Sequence, residues 1–250
     1  SVSFTNSLPL SVSTPRSGKG IEVRSCSSAS TTSAPPRTTS AEHSVQPLHI
    51  LEPRYKQMVS HCLDGAGQIA MASFAGEDWR SQYHGLPPLR PAVCIGQVIQ
   101  HEPLSDGRHD IWLQGICRAK ILKVIDPQDE RLYRLVKVDP LEAVSNQPPP
   151  MLEIRQELHD LLTSPCLSRM RYIETVMELF DRDDISTHAL LELIGFALLL
   201  DSELRYQLLA EANPVRRAGI IKHELTSLDD LVSRADRQPY RSWPKGMSWN

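Results

Sequence analysis

The reactive residue types of this 250-residue chain do not have the spacing of a catalytic motif. A phosphate-binding loop needs a glycine-rich run that carries Lys and Ser or Thr and opens a helix. The run at residues 17–20, Ser-Gly-Lys-Gly, lacks that spacing and follows no predicted strand. His61 and Cys62 are adjacent, but the helical pattern around them predicts a core position for Cys62 and a surface position for His61. With no Gly-x-Ser-x-Gly elbow either, we expect no catalytic residue and no enzyme.

The cysteines, histidines and acidic residues also lack the spacing of a metal site. No Cys-x-x-Cys or His-Glu-x-x-His pair occurs. Glu77 and Asp78 stand close to His84 in a polar segment, which we interpret as an acidic loop. The five cysteines are scattered and odd in number, which argues against a disulfide framework and favours a reducing compartment. We therefore expect neither a metal nor a cofactor.

The run QPLHILEPRYKQM at residues 46–58 predicts a strand that turns directly into a helix. Apolar and polar residues alternate from Pro47 to Leu51, as in a half-buried strand. Pro53 suits a first helical turn, and Glu52 suits the positive end of the helix dipole. Apolar residues then recur at helical spacing, up to a stop at residues 64–65.

The remaining patterns predict a β-rich half followed by a helical half, an α+β fold. Further strands are predicted at 67–74, 91–102, 111–125 and 131–138, and helices at 151–163, 167–181, 186–200, 202–212 and 214–225. Asp106-Gly107 is a strong hairpin turn between two of the strands. We divide the chain into a disordered Ser/Thr-rich tail (1–45), a β-barrel domain (46–145), a helical bundle (151–233) and a flexible end (234–250).

Several of these segments resemble the N-terminal substrate-binding domain of the Lon proteases. The run at 46–58 is similar to the PLHIFEPRY-type signature that opens that domain. Residues 91–102 resemble its VGTVAxI strand, and residues 111–125 its L.G..R..I strand. Residues 201–217 resemble its helical close. The matches follow one another in the family's order, over residues 46–230.

The resemblance implies a PUA-like β-barrel followed by a helical bundle, and a non-catalytic module that binds exposed polypeptide segments. Nothing in the sequence resembles Lon's ATPase or peptidase, so we expect a free-standing module. For such a module we expect a role as an adaptor in proteolysis or protein quality control. The expected partners are unfolded or client polypeptides, together with a protease or chaperone. The candidate peptide-binding residues are Leu51, Tyr55, Phe74, Trp79 and Tyr83. The first three could instead fill the core, whereas Trp79 and Tyr83 stand in a polar, Gly-flanked loop.

One part of the family pattern is missing. The Lon domain begins with an apolar strand just before its signature, but residues 37–44 show no apolar alternation. Leu8-Pro-Leu10 is short and far upstream. Two interpretations stay open: the tail is not the native start of the domain, or the barrel is open at that edge.

Two other functions compete with polypeptide binding. PUA-like barrels elsewhere bind RNA, and one predicted hairpin is basic, through Arg118, Lys120, Lys123, Arg131, Arg134 and Lys137. Alternation, however, places these charges on a solvated face, and a net charge of −3 argues against a general nucleic-acid or membrane role. An accessory role in an ATP-dependent peptidase is the third function.

The longest apolar run, at residues 193–200, is far shorter than the ~20 residues that span a bilayer. We expect a cytoplasmic location. The Arg-bearing, acid-poor tail also has features of an organellar transit peptide, but no amphipathic helix accompanies them. The oligomeric state is left open.

Overall fold

The computed structural model describes residues 7–12, 45–76, 79, 85–141, 151–170 and 172–237. The strands are β1 (Ser7–Val12), β2 (Val45–Ile50), β3 (Gln68–Phe74), β4 (Leu89–Pro103), β5 (His109–Ile125) and β6 (Leu135–Pro140). The helices are α1 (Pro53–Leu63), α2 (Leu152–Leu162), α3 (Ile173–Phe180), α4 (Thr187–Ala197), α5 (Ser202–Ala210) and α6 (Pro214–Asp236). This order confirms the predicted α+β class. In the described part of the chain, no helix combines the length and hydrophobicity needed to cross a bilayer.

Three strands pair with the long strand β5. β4 runs antiparallel along one edge of it, while β2 pairs with its first half and β6 with its second half on the other edge. β3 pairs with β4, and β1 pairs with β3. β1 also pairs in parallel with β6. The pairings β5–β4–β3–β1–β6 therefore return to β5, and these five strands close the predicted β-barrel.

β1 corrects the expectation that Leu8-Pro-Leu10 is too short and too remote to serve as the first strand. Leu8 stands opposite Ala72 and Leu10 opposite Ala70 on β3. Loop-closure entropy rises only slowly with loop length, so a long separation in sequence does not prevent this pairing. The rest of the predicted disordered tail, residues 1–6 and 13–44, lies outside the described residues.

Alternate residues of β3 face two different hydrophobic clusters, on opposite faces of the sheet. Ile69 and Met71 pack into an α1 cluster, whose buried members are Ile50, Tyr55, Met58, Val59, Cys62, Ile69, Ile111, Leu113 and Tyr133. Ala70 and Ala72 pack into a barrel cluster, whose buried members are Ala70, Ala72, Val93, Ile95, Ala119 and Val136. The small residues of the barrel cluster suit the narrow interior of a five-stranded barrel.

The predicted strand at 131–138 begins only at Leu135, and the residues before it form a turn. Arg131 exchanges backbone hydrogen bonds with Gln128, and its guanidinium donates to the carbonyl oxygens of Asp126 and Tyr133. These bonds fix the loop that brings the Tyr133 ring into the α1 cluster. The other predicted strands begin and end within two residues of the observed ones.

The chain forms two compact units, and α5 belongs to the unit that contains the strands and α1. Arg90 on β4 donates to both carboxylate oxygens of Glu203 on α5, at 2.6 and 2.7 Å. This bond raises the pKa of Arg90 and lowers that of Glu203. The guanidinium also lies 3.3 Å from the centroid of the Tyr206 ring, whose hydroxyl accepts a bond from the backbone N–H of Ala92.

The division of the chain into separate domains at 46–145 and 151–233 stays a prediction.

The other unit contains α2, α3, α4 and α6. Arg155 on α2 donates to the carbonyl oxygens of Phe180, Arg182 and Ile185, at 2.6, 3.1 and 2.7 Å. The last carbonyls of a helix have no partner within it, so this one side chain satisfies the end of α3 and the loop after it.

Two predicted helices in this unit need correction. The helix predicted at 167–181 is interrupted: a 3₁₀ turn covers Leu167–Arg169, and α3 starts only after Tyr172, whose φ is +69°. The helix predicted at 214–225 continues to Asp236, because no breaker follows Leu225.

Gly96 on β4 provides a test of the packing between the sheet and α1. A Cβ at this position would lie 2.5 Å from Cγ of Leu113, a buried member of the α1 cluster. We expect Gly96→Ala to lower the free energy of unfolding by about 1–3 kcal/mol through overpacking. In contrast, Gly219 on α6 has open space around it, and Gly219→Ala should raise the free energy of unfolding by up to ~1 kcal/mol. Urea unfolding curves of the two variants measure both effects, and equal stability of the two variants would contradict this packing.

Candidate functional site

α1 begins at the residues predicted to open it, and its first turn carries a guanidinium stacked on an aromatic ring. Glu52 precedes Pro53 in an extended conformation and accepts a 2.9 Å bond from Nε of Arg54. The Arg54 guanidinium lies 4.8 Å from the centroid of the Tyr55 ring. Tyr55 is buried in the α1 cluster, whereas Leu51, just before the helix, is 54% exposed.

Arg134 connects this first turn to a neighbouring loop. Its Nη1 donates to the carbonyl oxygen of Pro87 at 2.7 Å, and its Nε lies 3.3 Å from the carboxylate of Asp126. The side chain is only 10% exposed, and this burial lowers the pKa of the guanidinium. The charge of Asp126 and its hydrogen bond oppose that shift, whereas the charge of Arg54 adds to it. Arginine nevertheless keeps its charge, so the surface holds two guanidiniums close together.

An aromatic pair lies at the end of β3. The rings of Phe74 and Trp79 stack with centroids 5.1 Å apart, and Phe74 is buried while Trp79 is half-buried. The backbone N–H of Ala75 donates to the carbonyl oxygen of Pro88 at 2.8 Å. Leu86, in the same loop as Pro88, is about half exposed.

Arg134 and Ala75 both donate to one loop, residues 85–88, and Arg134 lies close enough to Arg54 to feel its charge, so this loop is near both the start of α1 and the aromatic pair. We call the result the arginine–aromatic surface: Leu51, Arg54, Trp79, Leu86 and Arg134. Exposed apolar side chains can contact apolar groups of a ligand, and guanidinium groups beside them can donate hydrogen bonds to its carbonyl or carboxylate oxygens.

The five predicted peptide-binding residues have different positions. Leu51 and Trp79 lie at this surface, Tyr55 and Phe74 are buried, and Tyr83 lies outside the described residues. Of these, the structure brings Phe74 and Trp79 into direct contact. As contacts to a ligand, all five stay predictions.

The sequence patterns do not predict Arg54, Leu86 or Arg134 as contacts to a polypeptide, and Arg134 is predicted only as part of the basic hairpin. Alternation along the basic hairpin places Arg134 on a solvated face, and this interpretation is wrong for Arg134, which is mostly buried. The signal that was available is Pro87-Pro88, which predicts a stiff, extended loop after the exposed Leu86.

Comparisons with known proteins agree with this architecture. A family model of the ATP-dependent protease La (LON) substrate-binding domain matches residues 43–227. The chain belongs to this family. Its structure is similar to the N-terminal domain of the Mycobacterium avium complex Lon protease, with 18% identity, 78% of this chain and 93% of that chain covered, and a TM-score of 0.50. A Lon N-terminal domain protein from Xanthomonas campestris is 17% identical, with 72% of this chain and 88% of that chain covered and a TM-score of 0.44. No curated protein sequence matches the chain.

At 18% identity, the likeness to the Mycobacterium avium complex domain supports the fold alone. The family match, in contrast, assigns most of the chain to the substrate-binding part of Lon rather than to its ATPase or peptidase.

The cysteine and histidine of α1 do not form a reactive pair in this Lon-type domain. Cys62 is 4% exposed, and burial raises the pKa of its thiol to about 11. Its Sγ lies 3.4 Å from the carbonyl oxygen of Gln68. His61 is exposed, and its Nδ1 lies 2.9 Å from the hydroxyl of Tyr133. The predicted core position of Cys62 and surface position of His61 are confirmed. Residues 17–20, Glu77, Asp78 and His84 lie outside the described residues.

Three histidines gather where β2 meets the hairpin of β4 and β5. His49 Nδ1 contacts the carboxylate of Asp110, and its Nε2 lies 3.3 Å from Arg108. Arginine only donates, so Nε2 accepts and the proton of a neutral His49 lies on Nδ1. His101 Nε2 and His109 Nδ1 are 2.8 Å apart, so one imidazole donates to the other. Among the described residues, no group of three or more His, Cys, Asp or Glu side chains could hold a metal ion.

The contact between the two imidazoles predicts a pH dependence of stability. Burial lowers the pKa of His109, and the charges of His101 and Lys56 lower it further. A histidine whose pKa is lower in the folded state stabilises the fold above its unfolded pKa of about 6.5, and this stabilisation is lost as the pH falls through the folded pKa. We expect the urea midpoint of the wild type to fall between pH 7 and pH 5, and to fall less in His109→Gln.

His223→Gln provides the control, since His223 is an exposed residue of α6. This variant should keep the pH dependence of the wild type. If His109→Gln and the wild type lose the same stability on acidification, the pair has no part in it.

Proposed function

We propose that this chain is a non-catalytic module that binds exposed segments of unfolded or client polypeptides. The observation that carries the proposal is the match of residues 43–227 to the substrate-binding domain of an ATP-dependent protease. The substrates of a protease are polypeptides, and a domain that binds them before cleavage must recognise segments that a folded protein hides.

The arginine–aromatic surface supports this function and is the site that we propose for it. Leu51 and Leu86 are each more than half exposed, and Trp79 adds a large, rigid ring that is held by stacking on Phe74. Unfolded chains expose apolar side chains and backbone carbonyls together. Leucines and a tryptophan can contact the former, while the Arg54 guanidinium, held beside the buried charge of Arg134, supplies donors for the latter.

The module delivers what it binds to another protein, as an adaptor in proteolysis or protein quality control. This step rests on the family match, because the substrate-binding domain of a protease passes what it binds to the machinery that unfolds and cleaves it. Capture of a protease or chaperone with the tagged chain, dependent on a bound client, would support the adaptor role.

Binding can be measured with a fluorescently labelled, reduced and alkylated protein that cannot refold. We expect Trp79→Ala to raise the Kd for this unfolded chain about tenfold, equivalent to about 1.4 kcal/mol, since a truncated aromatic anchor has an effect of this size. The same substitution should lower the free energy of unfolding by only about 1 kcal/mol, because Trp79 is half-buried and stacks on one ring.

The double variant Leu51→Ser/Leu86→Ser separates binding from stability, since both side chains are exposed. It should weaken binding and leave the urea midpoint unchanged. Leu231→Ser is the matched control, because Leu231 is 64% exposed but lies on α6. If Trp79→Ala and Leu51→Ser/Leu86→Ser both bind the unfolded chain as the wild type does, the proposed site is wrong. If the wild type does not bind the unfolded chain, the proposed function is wrong too.

We also expect the purified chain neither to hydrolyse ATP nor to degrade casein. The reason is chemical: the Cys62 thiol is buried with a pKa of about 11, and the run at 17–20 lacks phosphate-loop spacing. Phosphate release and casein cleavage are measured on a preparation from a host that lacks its own Lon, beside an active Lon protease. An activity that elutes together with the chain in gel filtration would refute this expectation.

A further inference from the structure

The outer face of the β5–β6 pair concentrates positive charge. Lys123 on β5 stands directly opposite Lys137 on β6, and Lys120 stands opposite Asp139 two positions along β6. The residues between them, including Ile121, Val124 and Val138, pack into the barrel cluster. Alternation therefore directs Lys120, Lys123 and Lys137 outward, and all three are exposed.

The lysines of this face have no acidic partner among the described residues. No ion pair or side-chain hydrogen bond of Lys120, Lys123 or Lys137 is formed there, whereas Lys222 on α6 contacts Glu157 at 2.6 Å. Like charges directly opposite each other on neighbouring strands destabilise a sheet. A bound anion between Lys123 and Lys137 would remove this repulsion.

An exposed leucine lies within the same face. The register of β5 against β6 shifts between Ile121 and Lys123, which leaves Leu122 without a partner on β6. Leu122 is 65% exposed, more than any other large apolar residue that the structure describes in the strands. A β-bulge of this kind places a side chain where regular pairing would not.

We propose that this lysine face, formed by Lys120, Leu122, Lys123 and Lys137, binds acidic segments of polypeptides that also carry apolar side chains. The lysines contact carboxylates of the segment, and Leu122 contacts an apolar side chain between them. The face therefore selects among unfolded chains by charge. This inference rests on the proposed function in one respect, since it names the class of polypeptide that is bound.

The face adjoins the α1 cluster, which supports a role in binding the same chain. Leu135 packs against that cluster, and Lys137 follows it two residues later on the same side of β6. Two residues of a strand span roughly 7 Å, so the lysine face begins about that far from the side chain that packs against the α1 cluster.

Polypeptide fits this face better than RNA. Three lysines beside Asp139 give a net charge of +2 on the face, whereas single-stranded nucleic acid is usually held by a longer basic groove with aromatic rings that stack on bases. Leu122 provides no such ring. The net charge of the chain, −3, also disfavours a polyanion of high charge density.

The test uses two labelled peptides, one with four glutamates around two leucines and one with glutamines in place of the glutamates, and an RNA 12-mer of uridine. Binding to the full chain is measured by fluorescence anisotropy at about 50 mM and about 500 mM salt, since high salt screens exposed charges. The variant Lys123→Gln/Lys137→Gln is compared with Lys56→Gln/Lys222→Gln, which removes the same charge away from this face.

We expect the acidic peptide to bind the wild type more tightly than the glutamine peptide at low salt. Lys123→Gln/Lys137→Gln should weaken it about tenfold, with little difference left at high salt. Its urea midpoint should not fall, because the repulsion between the two lysines is removed. Leu122→Ser should weaken both peptides.

Five results would overturn the inference. The acidic peptide could bind Lys123→Gln/Lys137→Gln as it binds the wild type, or Lys56→Gln/Lys222→Gln could lose as much affinity, which would mean a general charge effect. RNA could bind more tightly than the acidic peptide and lose that binding in Lys123→Gln/Lys137→Gln, which would make the face a nucleic-acid site. If the chain binds the reduced and alkylated protein but not the acidic peptide, this inference is refuted and the proposed function stands. If the chain binds neither of them, both are refuted.

Discussion

A β-strand has only two edges, and β5 pairs along most of both. β4 occupies one edge, and β2 and β6 share the other, one after the other. The first half of β5 thereby holds the strand that leads into α1, and the second half closes the barrel. Every other feature of the unit depends on how these 17 residues are shared.

A strand that serves two purposes must bend between them, and two extra residues accommodate the bend. The register shifts at Ile116 against β4 and at Leu122 against β6. Because the shift at Ile116 reverses which side chains face inward, Ile111 and Leu113 pack into the α1 cluster while Ala119 and Ile121 pack into the barrel cluster. The shift at Leu122 reverses the alternation again, so Val124 rather than Lys123 packs into the barrel cluster. Both extra residues are exposed, so the bend that separates the two clusters also places apolar side chains in contact with water.

Local signals in the sequence were sufficient for most elements, but not for their pairing. The alternation before Leu51, the proline at the start of α1 and the Asp106-Gly107 turn each have a physical cause within a few residues, and all three are confirmed. The pairing of β1 with β3 and β6 has no local cause, since it depends on which edges the rest of the barrel leaves unpaired. The candidate site was predictable in part. An aromatic residue in a polar loop identified Trp79, but the burial of Arg134 depends on a loop 47 residues away and has no sequence signal.

The polypeptide passes between the two compact units three times, after Pro148, after Asp201 and after Asn213. A unit that the chain leaves and re-enters cannot be released by one cut, because a fragment ending at Pro148 would lose α5 and leave Arg90 and Ala92 without Glu203 and Tyr206. The same topology constrains how such a module is inherited. A gene fusion that joins it to another protein must carry the coding sequence from β1 through Asn213 as one block, and the helices between β6 and α5 travel with the barrel in every such fusion.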